Sequence, residues 1–230
     1  MVNRTIVALD VGSAEEAVRL AKKLEPHVAA FKVGLGLLHA AGPGIVAALV
    51  DTGKPVFADA KLHDIPSQVG AAARQLGRLG VRWLTAHVSG GEAMLRAAVE
   101  GLSETAGYAG VLGVTVLTSL DAADLSAIGI ATTPGKLVSK MARVAEAAGC
   151  EGVVCSPHEL TVVASVAPQL TKVTPGVRPQ GSAAGDQRRT MTVAEAISRG
   201  ADWLVIGRPI TAAADPVAAA REIAATAIPG

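Results

Sequence analysis

The 230-residue chain is 50% hydrophobic and 18% charged, with 25 Gly and 12 Pro, which excludes a disordered or collagen-like polymer and suits one large domain or two small ones. Lys plus Arg number 21 against 20 Asp plus Glu, a formal charge of +1, and aromatics are only 2%, so neither a global basic field nor stacking platforms exist for nucleic acid. Mean hydropathy is positive at +0.41, yet no run reaches the roughly 18 apolar residues of a spanning helix, and neither nucleic acid nor membrane is an expected partner.

In chain order, the opening MVNRTIVALD passes into a short β-branched run that ends at Asp10. It has neither the apolar core nor the cleavage site of a secretory signal, which predicts a cytoplasmic address. Strands are predicted near 4–9, 28–33, 55–60, 82–86, 110–117, 151–155, 170–174 and 202–206 from their β-branched runs. Ala-rich stretches of helical period separate them. A helix over Ser13–Leu24 has Ser13 three residues before Glu16, in a capping-box arrangement, and a last helix over Asp215–Thr226 opens with Asp215 and Pro216. The glycine-containing segments 34–44 and 176–185 read as loops. Cys150 and Cys155 are too few for a disulfide framework or a zinc site and are expected to be buried free thiols.

Strands and helices alternate from end to end without a linker, which predicts an α/β fold of parallel strands joined by crossover helices. Eight such units in this length suit a single (β/α)8 TIM barrel spanning 1–230; an open doubly wound sheet is the rival. The strand runs end in Asp10, Lys32, Lys61, His87, Thr118, Ser156, Arg178 and Arg208. A closed ring gathers such ends around one mouth, where barrel active sites lie, whereas an open sheet scatters them along an edge.

The densest chemistry is in DAKLHDIPSQ, residues 59–68. Asp59 and Lys61 are two apart at a strand end, so strand alternation points both toward the mouth. Asp64 follows in the turn, and the ammonium is bracketed in sequence by two carboxylates. Lys32 on the preceding strand is the second cation expected to keep those acids from repelling each other. Burying such charges costs several kcal/mol and is seldom kept for stability alone. A lysine beside acids is a proton donor suited to a reaction in which negative charge develops on carbon. Magnesium on Asp59 and Asp64 is the competing reading, but lysine already neutralises the pair and Lys32 stands where a further oxygen ligand is wanted, so no metal is expected.

At the other end of the chain, TPGVR (174–178) and IGRP (206–209) close the seventh and eighth predicted strands. Loops at those positions commonly bind phosphate in such barrels, where glycine admits backbone N–H groups and arginine adds a forked contact. Pro175, Arg178, Gly207 and Arg208 are therefore candidate phosphate contacts. Segment 179–188, PQGSAAGDQR, reads as a loop that closes over bound ligand, with Gln187 placed to bridge phosphate and a polar ring edge.

These residues resemble the orotidine 5′-phosphate decarboxylase family, through ALDVGS, FKVG, DAKLHDIP, TAHVSGG, VTVLTSLD, TPGVRP and IGRP, in the family's order from Ala8 to Pro209. The resemblance implies conversion of orotidine monophosphate to uridine monophosphate and carbon dioxide in pyrimidine biosynthesis, without cofactor or metal. It implies that Asp10 and Lys32 contact ribose hydroxyls, that Asp59 faces the substrate carboxylate and that Lys61 protonates C6. Thr118 and Ser119 would face the pyrimidine, and Arg178, Gln187, Gly207 and Arg208 the phosphate. Asp64 and Ile65 would enter the partner subunit's site, implying a homodimer with two composite sites. The family usually continues DIPxT; here Ser67 and Gln68 follow, and either Gln68 or Ser67 takes over the polar contact to ribose.

Two other readings give different expectations. A metal-dependent sugar-phosphate decarboxylase, aldolase or epimerase would share the barrel and the DxKxxD strand but carry an acidic ligand in place of Lys32. A silent barrel would bind nucleotide without turnover. His27, His39, His63 and His158 have no partner at ligand spacing and are expected at the surface or behind the site; His87, at a strand end, braces the mouth or reacts. Trp83 and Trp203 are expected in the core.

Overall fold

Eight of the ten strands close on themselves in the order β1-β10-β7-β6-β5-β4-β3-β2, in a computed structural model that describes residues 3–178 and 191–227. They are β1 (Thr5–Ala8), β2 (Ala30–Val33), β3 (Val56–Leu62), β4 (Trp83–His87), β5 (Gly110–Val114), β6 (Gly152–Val154), β7 (Thr171–Thr174) and β10 (Trp203–Ile206). The short strands β8 (Val177–Arg178) and β9 (Met191–Thr192) pair in parallel outside the ring. Closure is explicit at β1, where Val7 is in register with Ile206 on one side and with Phe31 on the other. An open sheet would leave two free edges, so the (β/α)8 barrel is the observed fold and the doubly wound sheet is excluded.

The period-two alternation of the strands makes two apolar layers. Ile6, Ala8, Ala30, Phe57, Leu112 and Val205 belong to a cluster within the ring. The intervening Val7, Phe31, Ala58, Leu84, Val111 and Leu204 join the larger cluster beneath the helices. Because both faces are covered, the strands read as nearly continuous hydrophobic runs.

The first helix is Ala14–Leu24 with Ser13 as its N-cap, the hydroxyl accepting from the Glu16 N–H. The reciprocal half of the expected capping box is displaced by one residue: Glu16 accepts from the Gly12 N–H at 3.3 Å. The last helix, Pro216–Thr226, is capped by Asp215 through the N–H groups of Val217 and Ala218. Segment 34–44, expected as a loop, instead contains the helix Leu35–Ala41 and the start of Gly44–Val50. Its glycines punctuate a helix pair: Gly42 carries φ +70° between them. The fifth strand ends at Val114, three residues before its expected end. Thr115, just past this end, gives both its N–H and its hydroxyl to the Val154 carbonyl, at 3.2 and 2.7 Å.

The N-terminal end of the ring is closed by polar and aromatic packing. Trp83 and Trp203 meet at a centroid distance of 5.4 Å, and the Arg82 guanidinium lies 4.6 Å from the Trp83 ring centroid. Glu151 accepts two hydrogen bonds from Arg82, at 2.7 and 2.8 Å, and one from the Trp83 indole N–H at 2.8 Å. Both tryptophans thus serve the core, as expected. The opposite, C-terminal mouth is left open for chemistry.

Candidate active site

Across that mouth runs a row of side chains of alternating charge. Asp10 lies 3.5 Å from Lys32 Nζ, Lys32 Nζ 3.3 Å from Asp59, and Asp59 2.6 Å from Lys61 Nζ. Asp10 is the solvent-facing end, with a side chain 58% exposed, whereas those of Lys32 and Asp59 are 10% and 12% exposed. Strands β1, β2 and β3 are neighbours in the ring, so their ends deliver acid, base and acid side by side.

Lys61 reaches this row by a break in the strand rather than by simple alternation. It is the only non-glycine residue with positive φ among the described residues, at +51°, a conformation that costs an L-residue about 1–2 kcal/mol. The register of β3 against β4 shifts between Ala58 and Leu62, as at a β-bulge that re-aims a side chain. The Lys61 N–H donates to Thr85 Oγ1 at 2.9 Å, and the Thr85 hydroxyl donates to Asp59 Oδ1 at 3.0 Å. Thr85 is fully buried.

Burial alone would raise the Asp59 pKa. The charges of Lys32 and Lys61, with hydrogen bonds from Lys61 and Thr85, outweigh it and hold the carboxyl below its ordinary value. Asp59 is therefore a carboxylate at neutral pH, fixed beside an ammonium.

Asp64 departs from the bracketing suggested by sequence. Within one chain Lys61 pairs with Asp59, while Asp64 is exposed and accepts from the Ile65 N–H at 2.6 Å. Asp64 and Ile65 line a separate shallow depression with His63, Pro66 and Gly90, and Ile65 is 62% exposed. The spacing of a turn residue from a strand residue does not set its direction, and here the turn carries the second acid off the mouth. Ser67 and Gln68 are also exposed, in the first turn of the helix Pro66–Arg78.

A cavity of about 230 Å³ opens onto the charged row. Its floor is apolar and comes from Phe57, Val114, Val154 and Val205, with Cys155, whose thiol is pushed up to about 12 chiefly by burial. Neither Cys155 nor Val116, which also lines the cavity, stands out in the sequence; each is one more apolar residue at a strand end. Both cysteines are buried free thiols. Thr118 lines one wall and is partly buried, whereas its neighbour Ser119 is exposed.

The wall formed by the ends of β7 and β10 contains Pro175, Gly176, Arg178, Gly207 and Arg208. Gly176 turns the chain with φ +78°, and Arg178 donates to the Val177 carbonyl at 3.1 Å. Two guanidinium groups therefore share one cavity with the Lys32–Asp59–Lys61 row. Gln187 and segment 179–188 lie outside the described residues.

Two strand ends do not reach the cavity lining. Ser156 is buried and its hydroxyl accepts from the His158 N–H, capping a short turn. His87 stacks obliquely on His63 at 5.4 Å. Burial, then the neighbouring His63 and Lys61, lower the His87 pKa against the opposing pull of Asp59, so it is a neutral brace beside the row at pH 7. Among the described residues no three His, Cys, Asp or Glu side chains converge as metal ligands, and no helix is long and apolar enough to cross a membrane.

Comparison with known proteins agrees over nearly the whole chain. Residues 3–223 match the model of the Orotidine 5′-phosphate decarboxylase / HUMPS family. The orotidine 5′-phosphate decarboxylase of Anaeromyxobacter sp. (strain K) is 50% identical over 223 residues, 96% of this chain and 97% of that protein. That of Moorella thermoacetica is 49% identical over 230 residues, covering 97% and 91% respectively. The crystal structure of orotidine 5′-phosphate decarboxylase from Lactobacillus acidophilus superposes with a TM-score of 0.86 at 33% identity, over 98% of this chain and 99% of that one. The closed barrel, the charged row at its mouth and these matches together establish that the chain belongs to the orotidine 5′-phosphate decarboxylase / HUMPS family.

Proposed function

We propose that the protein decarboxylates orotidine 5′-monophosphate to uridine 5′-monophosphate and carbon dioxide in pyrimidine biosynthesis. The observation that carries this reading is one cavity holding the Lys32–Asp59–Lys61 row at one side and Arg178 and Arg208 at another. A dianionic phosphate fits the arginines and the glycine-bordered backbone; a ring carboxylate fits the row.

In this reading the phosphate is held by Arg178, Arg208, Gly207 and the Pro175 turn, with Gln187 as a further contact. Asp10 and Lys32 accept and donate to ribose hydroxyls, and Thr118 and Ser119 meet the pyrimidine edge. The substrate carboxylate is set against Asp59. The bond from C6 to the carboxylate carbon breaks, its electron pair stays on C6, and carbon dioxide leaves. Lys61 then gives a proton to C6, and its neutral amine recovers one from water. The fixed ammonium stabilises a carbanion with little delocalisation, and it is already in place before charge develops. A barrier reduction exceeding about 20 kcal/mol is the scale required of so slow an uncatalysed reaction, so distant phosphate binding contributes by orienting the ring.

Asp64 and Ile65, carried away from their own mouth, enter the mouth of a second copy, which makes the functional unit a homodimer with no cofactor or metal. Gln68 or Ser67 supplies the remaining ribose contact. The test is a spectrophotometric assay of orotidine monophosphate consumption with EDTA present, comparing the intact protein with Lys61→Ala. Turnover by the intact protein and its loss in the variant support the reading. Dependence on added magnesium, or saturable binding of uridine monophosphate without turnover, would overturn it.

A further inference from the structure

Of the buried polar residues among the described residues that the mechanism above leaves unused, Thr85 is hydrogen-bonded to the charged row. Thr85, on β4, has no exposed surface and does not line the cavity, yet its single hydroxyl serves two groups of the charged row. It accepts from the Lys61 backbone N–H and donates to Asp59 Oδ1, the same carboxylate oxygen that receives the Lys61 ammonium at 2.6 Å. We infer that Thr85 is a positioning residue: its hydroxyl clamps the left-handed backbone of Lys61 and the Asp59 carboxylate to one point, so that the ammonium is aimed before substrate arrives.

Three observations support the clamp. The ladder between β3 and β4 is irregular between Ala58 and Leu62, which removes Lys61 from the regular strand pairing. The Lys61 N–H finds its partner in a side chain instead. The conformation it holds, φ +51°, is one that persists only where the surroundings over-determine it. A hydroxyl can accept and donate at once, which a valine of the same shape cannot. Without it the Lys61 N–H and one Asp59 lone pair lose their partners inside the barrel, and the backbone is free to relax toward ordinary strand geometry. A displacement of the reacting group by about 1 Å can cost about 10²-fold in rate.

The role is inferred for the decarboxylase reading, and two measurements keep the two apart. In the assay, Thr85→Val lowers kcat by about 10²-fold while KM stays within about threefold, because the groups that hold phosphate are untouched. Thr85→Ser, which keeps the hydroxyl, restores kcat to within about tenfold of the intact protein. In the ligand-free protein, hydrogen exchange of the Lys61 amide, followed by NMR, accelerates at least about tenfold in Thr85→Val and is slow again in Thr85→Ser. Near-normal kcat in Thr85→Val, equal damage in both variants, a loss confined to KM, or unchanged amide exchange would each overturn the positioning role. Absence of turnover in the intact protein overturns the decarboxylase reading alone, and amide exchange then decides the clamp. If valine prevents folding, Thr85→Cys is judged by the same criteria against Thr85→Ser.

Discussion

Gly34 and Lys32 are so close that a methyl group on Gly34 would stand 2.9 Å from the Lys32 ammonium nitrogen, and equally near Asp10 Oδ1. The glycine of FKVG is thus a space requirement of the Asp10–Lys32 pair. Its backbone, at φ −88°, is open to any residue. Gly34→Ala is therefore expected to fold with a Tm within a few degrees of the intact protein while displacing the lysine. A fall in kcat/KM of about 10- to 100-fold is predicted. Steady-state kinetics beside a thermal melt checks this; unchanged kinetics would mean that the pair can shift without consequence.

Lys61 separates catalysis from stability. In the proposed mechanism Lys61→Ala removes the proton donor and the preorganised charge, and a loss of about 10⁴-fold or more in turnover is expected with the barrel retained. Alanine still has to adopt φ +51°, whereas glycine adopts it freely. Lys61→Gly should therefore be more stable than Lys61→Ala by about 1 kcal/mol, with both equally inactive. Chemical denaturation of the two variants measures the difference, and equal midpoints would remove the claim that the backbone is strained.

The sequence made the barrel legible because both faces of each strand are covered, so eight apolar runs stand out between Ala-rich helices. It made Asp10, Lys32, Asp59 and Lys61 legible because charge at the C-terminal end of an apolar strand falls at the mouth of a closed ring. The left-handed turn at Lys61 was hidden, since nothing in DAKLHDIP marks a positive φ at a lysine. The direction of Asp64 was hidden for a related reason: chain turns outside regular structure do not preserve side-chain alternation. Thr85 reads as an ordinary β-branched strand residue, and its link to residues 59 and 61, more than twenty positions away, exists only once β3 and β4 are paired.

Asp59 gives the fold an acid limit. Its folded pKa lies below its ordinary value, so the native state holds fewer protons than the unfolded chain in that range, and stability falls as pH drops. The contribution is complete above the unfolded value, about 4, and disappears as pH falls through the folded one. Asp59→Asn leaves Lys32 and Lys61 facing each other without a counter-charge and is expected to cost on the order of 3 kcal/mol near neutrality. That deficit relative to the intact protein should be constant above about pH 5 and shrink steadily toward pH 2. Urea titrations across this range test the sign; a deficit that grows on acidification would contradict the assignment of Asp59 as the stabilised carboxylate.

The far end of the barrel supplies the opposite dissection. A side chain on Gly110 would collide with the Glu151 carboxylate and its stem, leaving Cβ and Cδ of Glu151 2.6 Å from the new carbon. Glu151 cannot move without giving up the paired hydrogen bonds from Arg82 and the bond from the Trp83 indole. Gly110→Ala should thus lower stability by about 2–3 kcal/mol through crowding and the loss of those partners. The charged row lies at the opposite end of the ring, at the ends of β1, β2 and β3 and not on the strands beside Arg82, Gly110 and Glu151, and the close-packed ring between them keeps its position. At a temperature where Gly110→Ala remains folded, kcat and KM are expected to stay within about twofold of the intact protein. A catalytic loss without unfolding would show instead that the base and the mouth are mechanically coupled, because strain at Glu151 would then have travelled along β4 or β5 to the charged row.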